Sequence, residues 1–130
     1  MRIVDRGIIC DASFPTSNIT LWCRDRRGER LDLEHVIKRQ THDTAAHVGW
    51  QDRGVLAPGY RADINVIDFE HLQLRRPEMH YDLPAGGKRL LQRAEGYRYT
   101  IKSGAVTFEN GEHTGKLPGR LVRGAQPAPK

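Results

Sequence analysis

Asp43 and His47 are residue types that can bind a metal, and they are spaced for one face of a helix. Residues four apart project from the same side of a helix, whereas His42 would point elsewhere. A catalytic zinc normally has three protein ligands and one open position, and the sequence adds no HxH, HExxH or paired-cysteine spacing. The alternative, a solvated pair with a cationic histidine near a helix C-terminus, is therefore favoured. We assign no metal ligand.

Three other patterns each lack something that their chemistry requires. Residues 86–89, GGKR, lack the Ser or Thr that follows Lys in a phosphate-binding loop, and they lack its earlier glycine. Ser13 has no GxSxG context, so a hydrolase nucleophile is unsupported. Cys10 and Cys23 are too far apart for a CxxC motif, and thiols are expected in preference to a disulfide. The sequence thus assigns no catalytic or cofactor-binding residue, and no cofactor is expected in this chain.

Length and composition limit the class of protein. A chain of 130 residues favours one small domain, and 38% hydrophobic residues with 13 glycines is an ordinary globular composition. Charged residues make up 28%, and no apolar run is long enough to cross a bilayer. The first six residues lack the apolar core of a signal peptide. We therefore expect a soluble, cytoplasmic protein without membrane partners.

The formal charge of +5 comes from two segments. Residues 75–102 hold seven Lys or Arg against three Asp or Glu, and residues 116–130 hold four against none. The basic tail can contact phosphates or an acidic protein, but no aromatic residue is interleaved with it for base stacking. A basic binding module for nucleic acid or an acidic protein stays an alternative.

The clearest predicted helix begins after Asp32, a residue type that favours the N-cap position. Its stripe of Leu33, Val36 and Ile37 recurs at helical spacing and must be buried. A second short helix is predicted from a cap at Thr41 to a stop at Gly49. Before both, residues 15–18 are predicted to break the chain and residues 19–23 to form one or two helical turns.

The rest of the chain predicts antiparallel β structure. A short strand and turn are predicted at 54–60, a central strand with apolar residues on both faces at 63–69, and a long loop at 70–96. A hairpin of residues 97–102 and 105–109 is predicted around Ser103-Gly104, with Val106 and Phe108 on the face of Tyr97, Tyr99 and Ile101. A second turn at Asn110-Gly111 and a frayed end follow. The fold class is therefore α+β, with N-terminal helices followed by an antiparallel β unit.

Six segments together carry a family resemblance. Residues 54–68, GVLAPGYRADINVID, resemble the G-x-L-x-P-G-x-x-A-D-hydrophobic-x-V-hydrophobic-D pattern near the C-terminus of the amidohydrolase superfamily. Residues 33–50 resemble the last barrel helix of that superfamily, and residues 97–114 resemble its closing hairpin. The strings that narrow the resemblance to an N-acyl-D-amino-acid deacylase, or D-aminoacylase-like, protein are ICDASFPT at 9–16, DLPAGGKRL at 82–90 and PGRLVRG at 118–124.

This resemblance implies a much longer intact enzyme. Such an enzyme has a (β/α)8 barrel with one or two divalent metals, usually zinc, that activate water, and a β-sandwich built from both chain ends. The family's metal ligands lie upstream of the matching segment, and its catalytic aspartate is expected at or before Met1. Asp5 lies five residues before Cys10 in a context that departs from the pattern, so it receives no role.

The resemblance therefore predicts an inactive piece of a deacylase. Residues 1–50 are expected to be a helical remnant of the barrel end, residues 51–124 a portion of the β-sandwich, and residues 125–130 a disordered tail. Sheet edges and one apolar face would lack partners, so the chain is expected to form a homo-oligomer or to contact a separate barrel chain. An alternative is a docking subunit that completes an active deacylase with another chain.

Overall fold

The computed structural model describes residues 13–130, in which helices precede a set of small antiparallel sheets. The helices are α1 (Phe14–Ser17), a π-helix that continues it (Asn18–Asp25), α2 (Leu33–Gln40) and α3 (His42–His47). The α+β class is thus confirmed. The predicted break at 15–18 is wrong, because Pro15 lies in the first turn of α1, where a missing N–H costs no helical hydrogen bond.

The predicted positions of α2 and α3 are confirmed, but their predicted capping bonds are not. Asp32 occupies the N-cap position of α2 and makes no side-chain capping bond. The Thr41 hydroxyl donates backwards to the Ile37 carbonyl at 2.8 Å instead of capping α3. Gly49 ends α3 as predicted, since it adopts φ +76° and donates its N–H to the Ala46 carbonyl at 3.0 Å.

The largest sheet has the strand order β1-β6-β7-β8 and is antiparallel throughout. Its strands are β1 (Ile64–Ile67), β6 (Tyr97–Lys102), β7 (Ala105–Glu109) and β8 (Glu112–His113). The predicted turns are confirmed, because Ser103-Gly104 and Asn110-Gly111 both have the positive φ angles of hairpin turns.

Two predictions about this sheet are wrong. Strand β1 pairs only with β6 and is therefore an edge strand, not a central one, and its Val66 is 42% exposed. The register shifts between Thr100 and Ile101, so Phe108 lies opposite Thr100 and Thr107 is the buried residue of β7. A bulge changes which residues share a face, and simple alternation does not anticipate it.

The expected strand at 54–60 is also wrong, whereas its turn is confirmed. Tyr60 donates its N–H to the Ala57 carbonyl at 3.2 Å, and Gly59 supplies φ +85°. Val55 and Leu56 are exposed, and residues 54–60 hold no strand. These apolar side chains have no neighbouring strand against which to alternate.

The long loop expected at 70–96 is instead two antiparallel ribbons. Strand β2 (Gln73–Leu74) pairs with β5 (Ala94–Glu95), and β3 (Glu78–Leu83) pairs with β4 (Gly87–Leu91). A single 3-10 turn, Pro84–Gly86, joins β3 to β4. Exposed and partly buried residues do not alternate regularly along β3 and β4, so there is little two-residue periodicity to read.

A small apolar core joins the helices to the sheets. Ile19, Val36 and Leu72 are its buried members, and the partly buried residues around them are Cys23, Leu33, Ile37, Ile67, Phe69 and Tyr97. Gly96 allows this approach, because a Cβ there would lie 2.7 Å from the Leu72 Cα. The predicted stripe of α2 thus faces this core, with Val36 buried and Leu33 and Ile37 partly buried.

The C-terminal residues lie against the helical part of the chain. Gln126 donates its N–H to the Gly49 carbonyl and accepts from the Gln51 N–H, both at 2.9 Å. The Trp50 indole donates to the Gly124 carbonyl at 3.2 Å. The tail that was expected to fray therefore has ordered hydrogen bonds at Gln126.

We predict that Ile67→Ala destabilises the chain by about 2–4 kcal/mol, because Ile67 packs on the core and a cavity would remain. Val66 is the adjacent, exposed residue, so Val66→Ala is the matched control and should lower the free energy of unfolding by less than about 1 kcal/mol. Urea midpoints measure both. Equal losses would show that β1 does not contact the core through Ile67.

Candidate functional site

The segment that resembles the amidohydrolase pattern fixes the turn of the β6–β7 hairpin. Asp63 accepts hydrogen bonds from the Ser103 N–H at 2.9 Å and from Lys102 Nζ at 2.5 Å. The Gly104 N–H donates to the Ala62 carbonyl at 3.0 Å. Burial raises the pKa of Asp63, but these hydrogen bonds outweigh it and the pKa is lowered overall. Asp63 thus acts as a structural anion.

The second aspartate of that segment holds the chain on both sides of a bend. Asp68 accepts from His71 Nδ1 at 2.9 Å and from Arg98 Nη2 at 2.6 Å. These two hydrogen bonds lower the pKa of Asp68 to about 2. Its own N–H donates to the Gly96 carbonyl at 2.7 Å. Both carboxylate oxygens thus accept hydrogen bonds, and these bonds join the segment after β1 to β6.

Arg24 is the important residue that sequence reasoning missed. Its guanidinium donates to the carbonyls of Phe69, Glu70 and Leu72, with the Leu72 bond at 2.8 Å. It also lies 5.7 Å from the centre of the Phe69 ring. Arg24 therefore fastens the π-helix to the segment that supplies the buried Leu72. Residues 24–30 hold four arginines, and the sequence gives no signal that distinguishes Arg24 from the others.

Asp43 makes its hydrogen bonds with basic side chains other than His47. Asp43 accepts from Lys38 Nζ at 2.8 Å and contacts His42 Nδ1 at 3.0 Å. Those two hydrogen bonds lower the pKa of Asp43 to about 2. The expectation that His42 points away from Asp43 is wrong, because α3 is short and Asp43 lies in its first turn. His47 takes no part in these contacts.

Residues 13–130 contain no group of three or more His, Cys, Asp or Glu side chains that could hold a metal ion. The described part of the chain therefore does not fit a zinc site. Asp5 and Cys10 lie outside the described residues. Cys23 is a free, partly buried thiol whose pKa is raised by burial and by Asp32 and Glu34. A raised pKa leaves it protonated and unreactive.

An apolar groove lies on the outer side of the helices. It is a cavity of about 360 Å3 lined by Trp22, Leu31 and Val36 with a polar rim that includes Arg39. The Leu31 N–H donates to the Trp22 carbonyl at 2.9 Å, which fixes the two apolar side chains beside each other. We call this groove, with the adjacent exposed Leu21, the helical face. Its chemistry suits an apolar partner, not catalysis.

Many large apolar side chains are exposed in the described part of the chain. Among residues 13–130 there are fourteen of them, and they include Leu31 on the rim of the groove and Leu56, which is 84% exposed. These exposed apolar side chains are available to a partner.

A family model described as amidohydrolase family matches residues 5–108. The chain belongs to the amidohydrolase family. The matched residues include the helices, the hydrogen-bonding aspartates Asp63 and Asp68, and the β6–β7 hairpin up to Phe108. Comparisons with curated proteins and with solved structures gave no match. Family membership therefore rests on the family model and on the motifs that the structure shows to be structural.

Within residues 13–130, no helix has the length and apolar character to span a membrane. The amidohydrolase family is a hydrolase family.

We predict that the stability of Asp68→Asn falls less than that of the parent as the pH is lowered. A carboxyl whose pKa is lowered by folding stabilises the chain above its unfolded value of about 3.9, and the contribution is lost as pH falls toward about 2. Stability measured between about pH 5 and pH 2 should therefore fall less in Asp68→Asn than in the parent. Glu29→Gln is the exposed control, and an identical pH profile for Asp68→Asn and the parent would refute the assignment.

Proposed function

We propose that this chain is the C-terminal supporting part of an N-acyl-D-amino-acid deacylase-like amidohydrolase. In this proposal the hydrolytic residues belong to other polypeptide, and the chain alone is inactive. The observation that carries the proposal is the combination of a family match with described residues that hold no metal-binding group. The chain would supply a surface against which a neighbouring barrel packs.

The strings that suggest D-aminoacylase specificity support this choice within the family. DLPAGGKRL spans the end of β3, the turn Pro84–Gly86 and the beginning of β4, so it forms the tip of a projecting ribbon. PGRLVRG lies in the extended segment that leads to Gln126. Neither string lies near a group of metal-binding residues in the described chain, which agrees with supporting roles.

The helical face supports the proposed origin of residues 1–50 as the end of a (β/α)8 barrel. A helix that packed on a barrel would keep an apolar surface there. Val36 of α2 belongs to the internal core and also lines the open groove, beside the apolar Trp22 and Leu31. Residues 51–124 would then be the sandwich portion. The shared core of Ile19, Val36 and Leu72 joins these two parts, so they would not fold separately.

The helical face also favours the docking subunit as a second candidate. A separate barrel chain would cover the exposed side chains of Trp22 and Leu31. Zinc, where present, would belong to that barrel. A cytoplasmic location is part of the proposal. The alternative of a basic module that binds nucleic acid is less supported, because the basic residues 116–130 include no aromatic side chain on which a base could stack.

The isolated chain should retain far less than one zinc per molecule and should not hydrolyse N-acetyl-D-amino acids. Purification with zinc in the medium, elemental analysis and an assay of released amino acid test this, with an intact deacylase as the positive control. Stoichiometric zinc whose removal abolishes turnover would contradict the proposal.

Mixing the chain with a deacylase barrel that lacks the matching C-terminal segment should restore hydrolysis. Leu31→Asp places a charge on the helical face and should reduce the restored rate at least about tenfold, because an unpaired charge would be buried. Leu56→Asp is the control, since Leu56 is 84% exposed and lies away from the groove. Equal rates for the two variants would exclude the helical face as the barrel contact.

A further inference from the structure

Residues 124–129, which we call the strap, lie in a cleft formed mainly by residues 49–60. The strap pairs with the chain there as in a parallel sheet. The Gln126 N–H donates to the Gly49 carbonyl, and the Gln126 carbonyl accepts from the Gln51 N–H, both at 2.9 Å. A peptide that adds a strand to an exposed edge is bound in the same way. The backbone of the cleft therefore already binds one extended segment.

The cleft and the strap fit each other closely. A Cβ added at Gly49 would lie 3.2 Å from the Ala125 Cβ. A Cβ added at Gly59 would lie 2.9 Å from the Pro129 Cβ, so a side chain at either glycine would push the strap away. A proline fixes its own φ and keeps the residue before it extended, so Pro127 and Pro129 lower the entropy that the strap loses on binding.

An apolar cavity opens beside the strap. It has a volume of about 250 Å3, with Trp50, Tyr60 and Ala128 among its lining residues. Arg53 stacks on the Trp50 ring at 4.7 Å from the ring centre, and its charge is neutralised by Asp52 at 2.7 Å. The methyl group of Ala128 borders the cavity without filling it. An aromatic wall beside a neutralised cation suits a larger aliphatic side chain at this position.

The strap can leave the cleft without disturbing the core. The buried core residues of the described chain are Ile19, Val36 and Leu72, and none of them lines the cleft. The segment that leads to the strap belongs to no helix or strand, and its Leu117 and Leu121 are 83% and 77% exposed. Opening of the strap is therefore a local event that requires less free energy than global unfolding.

We propose that the cleft is a binding site for an extended peptide of the form Gln-Pro-Φ-Pro, where Φ is a bulky aliphatic residue, and that the strap is its displaceable internal occupant. A partner peptide makes the same backbone bonds to Gly49 and Gln51, and its larger side chain takes the place of Ala128 and enters the cavity. The strap is tethered, so a partner needs this extra apolar contact to displace it. Among the described residues, the cleft and the helical face have no lining residue in common, so this site goes beyond the proposed function.

Peptide titration of the full chain tests the site. Gln126→Pro removes the N–H that donates to the Gly49 carbonyl and should release the strap, whereas Gln126→Ala keeps this N–H and is the matched control. The peptide GAQPLP should bind Gln126→Pro about tenfold more tightly than GAQPAP does, because leucine buries more apolar area than alanine. Both peptides should bind Gln126→Ala at least tenfold more weakly, because its strap still competes. The NMR signal of the Trp50 indole N–H, which donates to the Gly124 carbonyl of the strap, reports binding, and that of Trp22 is the internal reference.

A second measurement needs neither a peptide nor a released strap. Ala128→Leu should slow hydrogen exchange of the Gln51 amide, which donates to the strap, at least about tenfold, because the leucine fills the cavity and holds the strap closed. Ala128→Ser adds no apolar group and should leave this rate within about twofold of the parent rate. This measurement decides the inference where Gln126→Pro fails to fold.

Three results would each overturn the inference. The first is equal affinity of the leucine and alanine peptides for Gln126→Pro, or no saturable shift of the Trp50 signal with either. The second is a Trp22 signal that moves together with that of Trp50, which would show binding elsewhere on the chain. The third is the same exchange rate of the Gln51 amide in Ala128→Leu and Ala128→Ser.

Discussion

The packing of three aliphatic side chains is the constraint on which the described structure depends. Ile19, Val36 and Leu72 come from the π-helix, α2 and the segment before β2, and no local element can bury them alone. Arg24 strengthens the same junction, because it saturates carbonyls around Leu72 while its charge stays partly solvated. This small core thus joins the helices to the sheets, and fourteen large apolar residues among residues 13–130 stay exposed.

The two aspartates of the family motif have structural roles in the described part of this chain. The family's motif residues in this chain, Asp63 and Asp68, bind backbone and basic groups and position the hairpin. Their acidity is that of structural anions, with pKa values lowered by hydrogen bonds, whereas a general base needs a pKa nearer the working pH. Asp63 and Asp68 therefore act as structural anions and are not suited to act as general bases at neutral pH.

Sequence reasoning predicted the elements whose signals are local. The stripe of α2 and the Ser103-Gly104 turn follow from periodicity and positive φ, and both are present. The edge position of β1 and the bulge in β7 depend on partner strands, which a single sequence does not reveal. The ribbon at residues 78–91 was missed because its two faces are both partly exposed. Arg24 was missed because its carbonyl acceptors lie 45 to 48 residues away.

Calorimetry of the isolated chain tests the central claim most directly, namely that its core is one side of a larger one. A self-sufficient domain of this length unfolds in one sharp transition with an enthalpy of about 90 kcal/mol, from roughly 0.7 kcal/mol per residue. The small core predicts a broad transition with an enthalpy well below that value. A sharp transition with the full enthalpy would contradict the account.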